Sequence, residues 1–272
     1  MDAFSLSSDV QMQSIAATVL VVIVLLSPVG RMLRRLVYRW LGLKARWKKL
    51  LCSEVPLYNQ LPRDLKSKLQ RSTNIFLREN HVKGKNGFKV SEKERVTVAA
   101  HACMLLLGWR KYCYNGIREV FIYPSGVPEN EGQIRLRLKI LGGLWKSDGT
   151  IRLSWNDVDY GARIPFDGQN VVFHEFAHEL DYLYGFSGGI HKQGSGFFEF
   201  LRTGLFRREL KHLRSADHEL DQIISDYGTT NQAELFACAT EAFFERPVDL
   251  KAKHPAMYKR LHKIYRLDPA AW

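Results

Sequence analysis

The pattern of apolar and polar positions changes character several times along the chain. From Val10 to Gly30 no side chain is charged, and the centre of the run is β-branched and leucine-rich. About 20 such residues cross a bilayer as a helix, so the pattern predicts a transmembrane helix over 10–30. The next stretch, "RMLRRLVYRWLGLKARWKKL", interleaves basic residues with Leu, Trp and Tyr in the manner of an interfacial helix, and predicts a juxtamembrane linker over 31–49. Two helical periods follow. "LPRDLKSKLQRSTNIFLREN" places Pro62 at the first helical position, with Leu65, Leu69, Ile75 and Phe76 near helical spacing. "SEKERVTVAAHACMLLLGW" opens with Ser91 and Glu94 at capping-box spacing and closes near Gly108.

Strand signals come next: "EVFIYPSG" reads as a short buried strand, while "QIRLRLKIL" and "GTIRLSW" alternate. Beyond "NDVDYGARIPFDG" the helical period returns and holds as far as "DPAAW". Helices, strands and then helices predict an α+β domain over 50–272, with a small mixed sheet and a largely helical C-terminal half.

Composition changes this picture in one place. The formal net charge is +12 over 272 residues, which by itself suggests nucleic acid as a partner. Eight basic residues, however, fall between Arg31 and Lys49, directly after the uncharged run, while Asp2 and Asp9 precede it. The positive-inside rule then puts the N-terminus outside and everything after Arg31 in the cytoplasm, with the basic block drawn to anionic headgroups. No nucleic acid is expected as a partner. The four cysteines, Cys52, Cys103, Cys113 and Cys238, include no CxxC pair, which speaks against a disulfide scaffold and suits a reducing compartment.

The chemistry is carried by "VVFHEFAHELDYL". On a helix His174 and His178, four residues apart, lie one turn apart on one face and can both aim an imidazole at a single ion. Glu175 sits beside that ion in the position of a general base, which is the HExxH arrangement of zinc peptidases. A third protein ligand is required. The metzincin extension asks for glycine at position 181 and histidine at position 184; the chain has Asp181 and Tyr184, so that subclass is excluded. The alternative is a carboxylate from the later helix "NQAELFACATEAFFERP", where Glu234, Glu241 and Glu245 fall near one stripe in apolar surroundings. Burying charge there needs a reason, and a metal is one. Periodicity does not choose between Glu234 and Glu241, and Asn231 with Glu234 is also spaced as a helix cap. His101, in an apolar helical run, reads as a satisfied core histidine, Cys238 as a packed thiol, and His191 as a loop or substrate contact.

With these segments together the chain resembles the Mlc titration factor A family of zinc peptidases, bacterial cytosolic gluzincins distantly similar to the anthrax lethal factor catalytic domain. The resemblance runs from about Leu50 through "EVFIYP", "IRLSW", "HEFAHELD", "DYGTTNQAELFA", "EAFFERP" and "YRLDP". It implies a zincin-like fold, one Zn²⁺ per chain held by His174, His178 and Glu234, and Glu175 as the catalytic base. It also implies that Tyr227 points into the site toward a developing oxyanion, and that Glu241 and Asp181 are candidates to orient the ligands from behind. The partners it implies are a peptide or protein substrate and a regulatory protein, since the family is known for sequestering a transcriptional repressor. Two features depart from it: the N-terminal apolar segment with its basic linker, and the loop "YGFSGGIHKQGSG" after the histidine helix.

Overall fold

A computed structural model describes residues 14, 15, 18, 27–128, 149–186, 206–211, 213 and 223–272. The chain divides into two compact units, Met1–Gly42 and Leu43–Trp272.

In the first unit helix α1, Pro28–Leu41, begins at Ser27, whose hydroxyl accepts from the Gly30 amide at 3.1 Å, and ends at Gly42 with a φ of 67°. Val29, Met32, Leu33, Leu36, Val37, Trp40 and Leu41 recur at helical spacing and are all exposed, Trp40 to 91%. Arg31, Arg34, Arg35 and Arg39 lie between them and no acidic residue occurs in the helix. Among the described residues no helix is long and apolar enough to cross a membrane. Most of the run from Val10 to Gly30, where a transmembrane helix is expected, lies outside them, as do "QIRLRLKIL" and His191.

The second unit opens with α2, Ala45–Glu54, whose Trp47 and Leu51 are buried in its core, so the basic linker already contributes to this unit. Then come α3, Pro56–Gln60, and α4, Arg63–Glu79. Pro62 stands one position outside α4 as its N-cap, not at the first helical position. Strand β1, His81–Gly84, precedes α5, Glu92–Met104, which carries the full capping box: Ser91 accepts from the Lys93 amide and Glu94 accepts from the Ser91 amide. Next are β2, Glu119–Tyr123, β3, Thr150–Ser154, α6, Trp155–Arg163, and α7, Val171–Tyr184. A 3-10 turn, Asp226–Thr229, leads into α8, Gln232–Glu245, followed by α9, Pro247–Lys253, and α10, Pro255–Tyr265.

The sheet corrects one expectation. Its order is β1-β2-β3 and both pairings are parallel, His81 opposite Glu119 and Glu119 opposite Thr150, so among the described residues it is parallel and not mixed. Parallel neighbours need a crossover, and α5 supplies the one between β1 and β2. The inward residues Val120, Ile122, Ile151 and Leu153 are fully buried.

Aromatic rings join the layers. Phe173 of α7 packs on Phe244 of α8 at 5.0 Å and on His101 of α5 at 5.4 Å, and Phe176 lies 5.1 Å from Tyr114. His101 donates from Nδ1 to the Thr97 carbonyl at 2.8 Å, and burial lowers its pKa to about 4, against the pull of that bond. It is a neutral core residue. At the end of α10 the chain comes so close to Gly108 that a Cβ there would lie 1.9 Å from the Tyr265 carbonyl oxygen, which only glycine permits. The Trp109 indole donates to the Ile264 carbonyl at 2.7 Å, and together these contacts pin the loop after α5 to the end of α10.

Candidate metal centre

Two helices build the centre. Helix α7 is capped by Asn170, which accepts from the Phe173 amide at 3.2 Å, and it stops at Gly185 in the left-handed conformation, φ 63°. Its Val172, Phe173, Phe176, Ala177 and Leu180 are buried, while His174, Glu175 and His178 lie at the edge of that face, half-buried. Helix α8 is capped by Asn231, which accepts from the Ala233 and Glu234 amides at 3.0 and 3.1 Å. The capping reading of Asn231 is therefore half realised. Its own side chain makes the cap, and the Glu234 carboxylate turns toward α7.

There His174 Nε2, His178 Nε2 and Glu234 Oε2 converge. The imidazole nitrogens are 3.1 Å apart, and the carboxylate oxygen lies 3.2 Å from the first and 3.0 Å from the second. A tetrahedral ion with N and O ligands at about 2.0–2.2 Å separates those ligand atoms by roughly 3.3 Å, so the triangle has the size and donor chemistry of a zinc site. Behind it, His174 Nδ1 donates to Glu241 Oε1 at 2.7 Å. A carboxylate only accepts, so Nδ1 carries a proton, and in the neutral ring the Nε2 lone pair faces the triangle.

Glu241 and Glu245 also hold the start of α7. Glu241 Oε2 accepts from the Asn170 amide at 2.6 Å, and Glu245 accepts from the Asn170 side chain at 3.0 Å and from the Phe166 amide at 2.7 Å. Asn170 is the residue that sequence reasoning missed, and Glu245, named there only as a candidate ligand, is instead its partner. Asn170 was legible as an asparagine just ahead of a helical run, but its partners lie 71 and 75 residues away.

The electrostatics call for positive charge at this point. Burial works against charge on His174, but Cys238, Glu234 and Glu241 outweigh it and push its pKa up to about 12. Burial likewise opposes charge on Glu234, and the two imidazoles override it, carrying the carboxyl far below the usual range. A proton or a metal cation answers the same demand. Burial raises Glu245 to about 7, while its bonds from Phe166 and Asn170 pull the other way.

His174, Cys238 and Glu241 form a second group close enough to share an ion. In it His174 Nδ1 and Glu241 are already bonded to each other, and burial pushes the Cys238 thiol up, keeping it protonated. The Nε2 side of His174 is therefore the better metal site. Tyr227, in the 3-10 turn, is 56% exposed, with its ring 6.0 Å from that of His174. Burial and then the Glu234 charge raise its phenol, which stays a hydrogen-bond donor. Asp181 is buried on α7, where its charge helps to raise Tyr265.

The model of the glucose-regulated metallo-peptidase M90 family matches residues 31–266. The chain belongs to this family. M90 peptidases as a family imply a bound metal ion, and the match takes in both the HExxH helix and α8, as well as most of α1. A protein of Synechocystis sp. is 31% identical over 240 residues, 84% of this chain and 86% of that one. Mlc titration factor A of Enterobacter sp. (strain 638) is 26% identical over 238 residues, 82% of this chain and 86% of its own. That of Yersinia pestis (strain Pestoides F) is 29% identical over 170 residues, 58% and 61% of the two chains. The resemblance drawn from the sequence motifs thus stands.

The double role of Glu241 leads to a prediction. In Glu241→Gln the amide oxygen can accept from Asn170 or from His174, not from both, so zinc affinity falls by about 10–100-fold while the fold persists. Competition with a chelating dye measures it; an unchanged affinity would show that Glu241 does not orient His174.

Proposed function

We propose that this M90 peptidase is a membrane-anchored zinc enzyme that hydrolyses peptide bonds on the cytoplasmic side. The observation that carries the reading is the 3.0–3.2 Å convergence of His174, His178 and Glu234, with Glu241 fixing the His174 tautomer. Zinc held by those three residues would supply Lewis acidity toward a water, whose pKa it would lower to about 7, and toward the scissile carbonyl. Glu175, next to His174 on the half-buried edge of α7, takes the proton of the attacking water and delivers it to the leaving amine. The Tyr227 phenol donates to the oxygen that becomes negative as the carbonyl is attacked. Asp181, one turn beyond His178, helps to set the position of that imidazole.

The anchoring rests on the uncharged run before Gly30, its basic exit and the stripe of α1. An apolar stripe flanked by arginines, without acids, suits a helix lying at an anionic bilayer surface.

A second reading is favoured by the relatives' name, Mlc titration factor A, which describes titration of a protein named Mlc. On that reading the chain sequesters a regulatory protein, and peptide cleavage is secondary.

Glu175→Gln separates the two. The variant keeps one zinc per chain and loses about 10²–10⁴ in kcat on a peptide substrate, while Tyr227→Phe loses a smaller factor with little change in KM. A Glu175→Gln chain that cuts as fast as the wild type would sink the mechanism, and one that fails to cut yet keeps its full cellular effect would favour sequestration. For the anchor, an environment-sensitive fluorophore on Trp40→Cys shifts to the blue when the full chain meets phosphatidylglycerol-containing vesicles. The shift shrinks when Arg31, Arg34, Arg35 and Arg39 become Gln, and emission indifferent to lipid would refute a surface-bound α1.

A further inference from the structure

The C-terminal end of α7 opens into a solvent-facing groove of about 430 Å³, lined by Arg110, Lys111, Arg260, Lys263 and Arg266. No carboxylate is among its described lining residues. Its wall is aromatic: Tyr184 and Phe186 stack at 5.6 Å, and Trp109 meets Tyr184 edge-on at 5.1 Å. Lys111 donates to the Tyr184 hydroxyl at 2.6 Å. Lys263 and Arg266 have an ordinary explanation at the end of α10, where cations complement the helix dipole. Arg110 and Lys111 do not share it. They arrive on the loop after α5, held in place by the close approach at Gly108 and the Trp109–Ile264 bond.

We infer that this groove is an exosite that takes an acidic stretch of the polypeptide substrate. Cations spaced along an open groove match carboxylates spaced along a chain, and like charge excludes basic segments. A compact phosphate fits less well, because the cations are spread along the groove and no described helix N-terminus offers converging amide donors to one anion. Tyr184 follows His174 by ten residues on the same helix, about 15 Å of axis. An extended peptide covers that distance in roughly five residues, so the acidic stretch sits about that far from the scissile bond. The catalytic consequence rests on the peptidase reading; the binding does not.

The test uses the detergent-solubilised full chain and a fluorescein-labelled octaglutamate peptide, followed by anisotropy. The wild type binds with an affinity that falls as salt rises, and Arg110→Gln with Lys263→Gln weakens binding about tenfold. The equal charge change Lys48→Gln with Lys49→Gln, at exposed positions outside the groove, leaves it unchanged. No binding, or equal weakening by both pairs, would overturn the site. Displacement by tripolyphosphate at concentrations well below those of unlabelled octaglutamate would overturn its assignment to peptide. In cleavage of labelled casein the groove pair raises KM and leaves kcat in place, and a rise in neither refutes the exosite role. If casein is not cut at all the peptidase reading fails, and the anisotropy still decides the groove.

Discussion

Helix α8 buries three carboxylates, Glu234, Glu241 and Glu245, among Leu, Phe and Ala with Cys238 and Thr240. Each buried charge costs several kcal/mol unless it is paired and hydrogen-bonded, so an apolar helix with three of them is stable only if something arrives to meet them. What arrives is the first half of α7 and its lead-in. Glu245 takes Phe166 and the Asn170 side chain, Glu241 takes the Asn170 amide and His174, and Glu234 takes the two imidazole edges. The row of acids on one helix thus sets where the other helix begins and how its histidines are turned.

This arrangement joins stability and function in one set of contacts. The upper two carboxylates find backbone and side-chain donors of the protein itself. The third, Glu234, faces the two imidazole Nε2 atoms within 3.2 Å, and the lone pair that His174 presents there once its Nδ1 holds the proton leaves room for a cation to join the three. The aromatic packing of Phe173 on Phe244 and His101 holds the helices at a separation that keeps the atoms together. Glu175 follows His174 on the edge of α7 and is half-buried there.

Much of the site was legible in the sequence because helical period places i and i+4 side chains together: "HEFAH" named three positions, and the glutamates in an apolar helix named the face that meets them. Which glutamate completes the triangle was not legible from period, since Glu234 and Glu241 share a face; it came from the family motif, and Glu234 is the one whose oxygen lies between the imidazoles. The Asn170–Glu245 contact was hidden because it spans 75 residues. Strand β1, "HVKG", was missed because four residues with one apolar side chain carry no readable alternation. The direction of the sheet depends on how the chain crosses over between strands, which alternation cannot report. The basic groove draws its cations from the loop at 110–111 and from α10, and only the fold brings them together.

The central claim is that Glu234 closes a three-ligand zinc site with His174 and His178. The most direct measurement is zinc per chain by elemental analysis of the purified full-length protein, wild type beside Glu234→Ala, after supply of zinc at neutral pH and dialysis. One zinc in the wild type, largely lost in the variant with its helical circular dichroism intact, is the predicted result. A wild type without zinc, or a variant that retains a full equivalent, would contradict it.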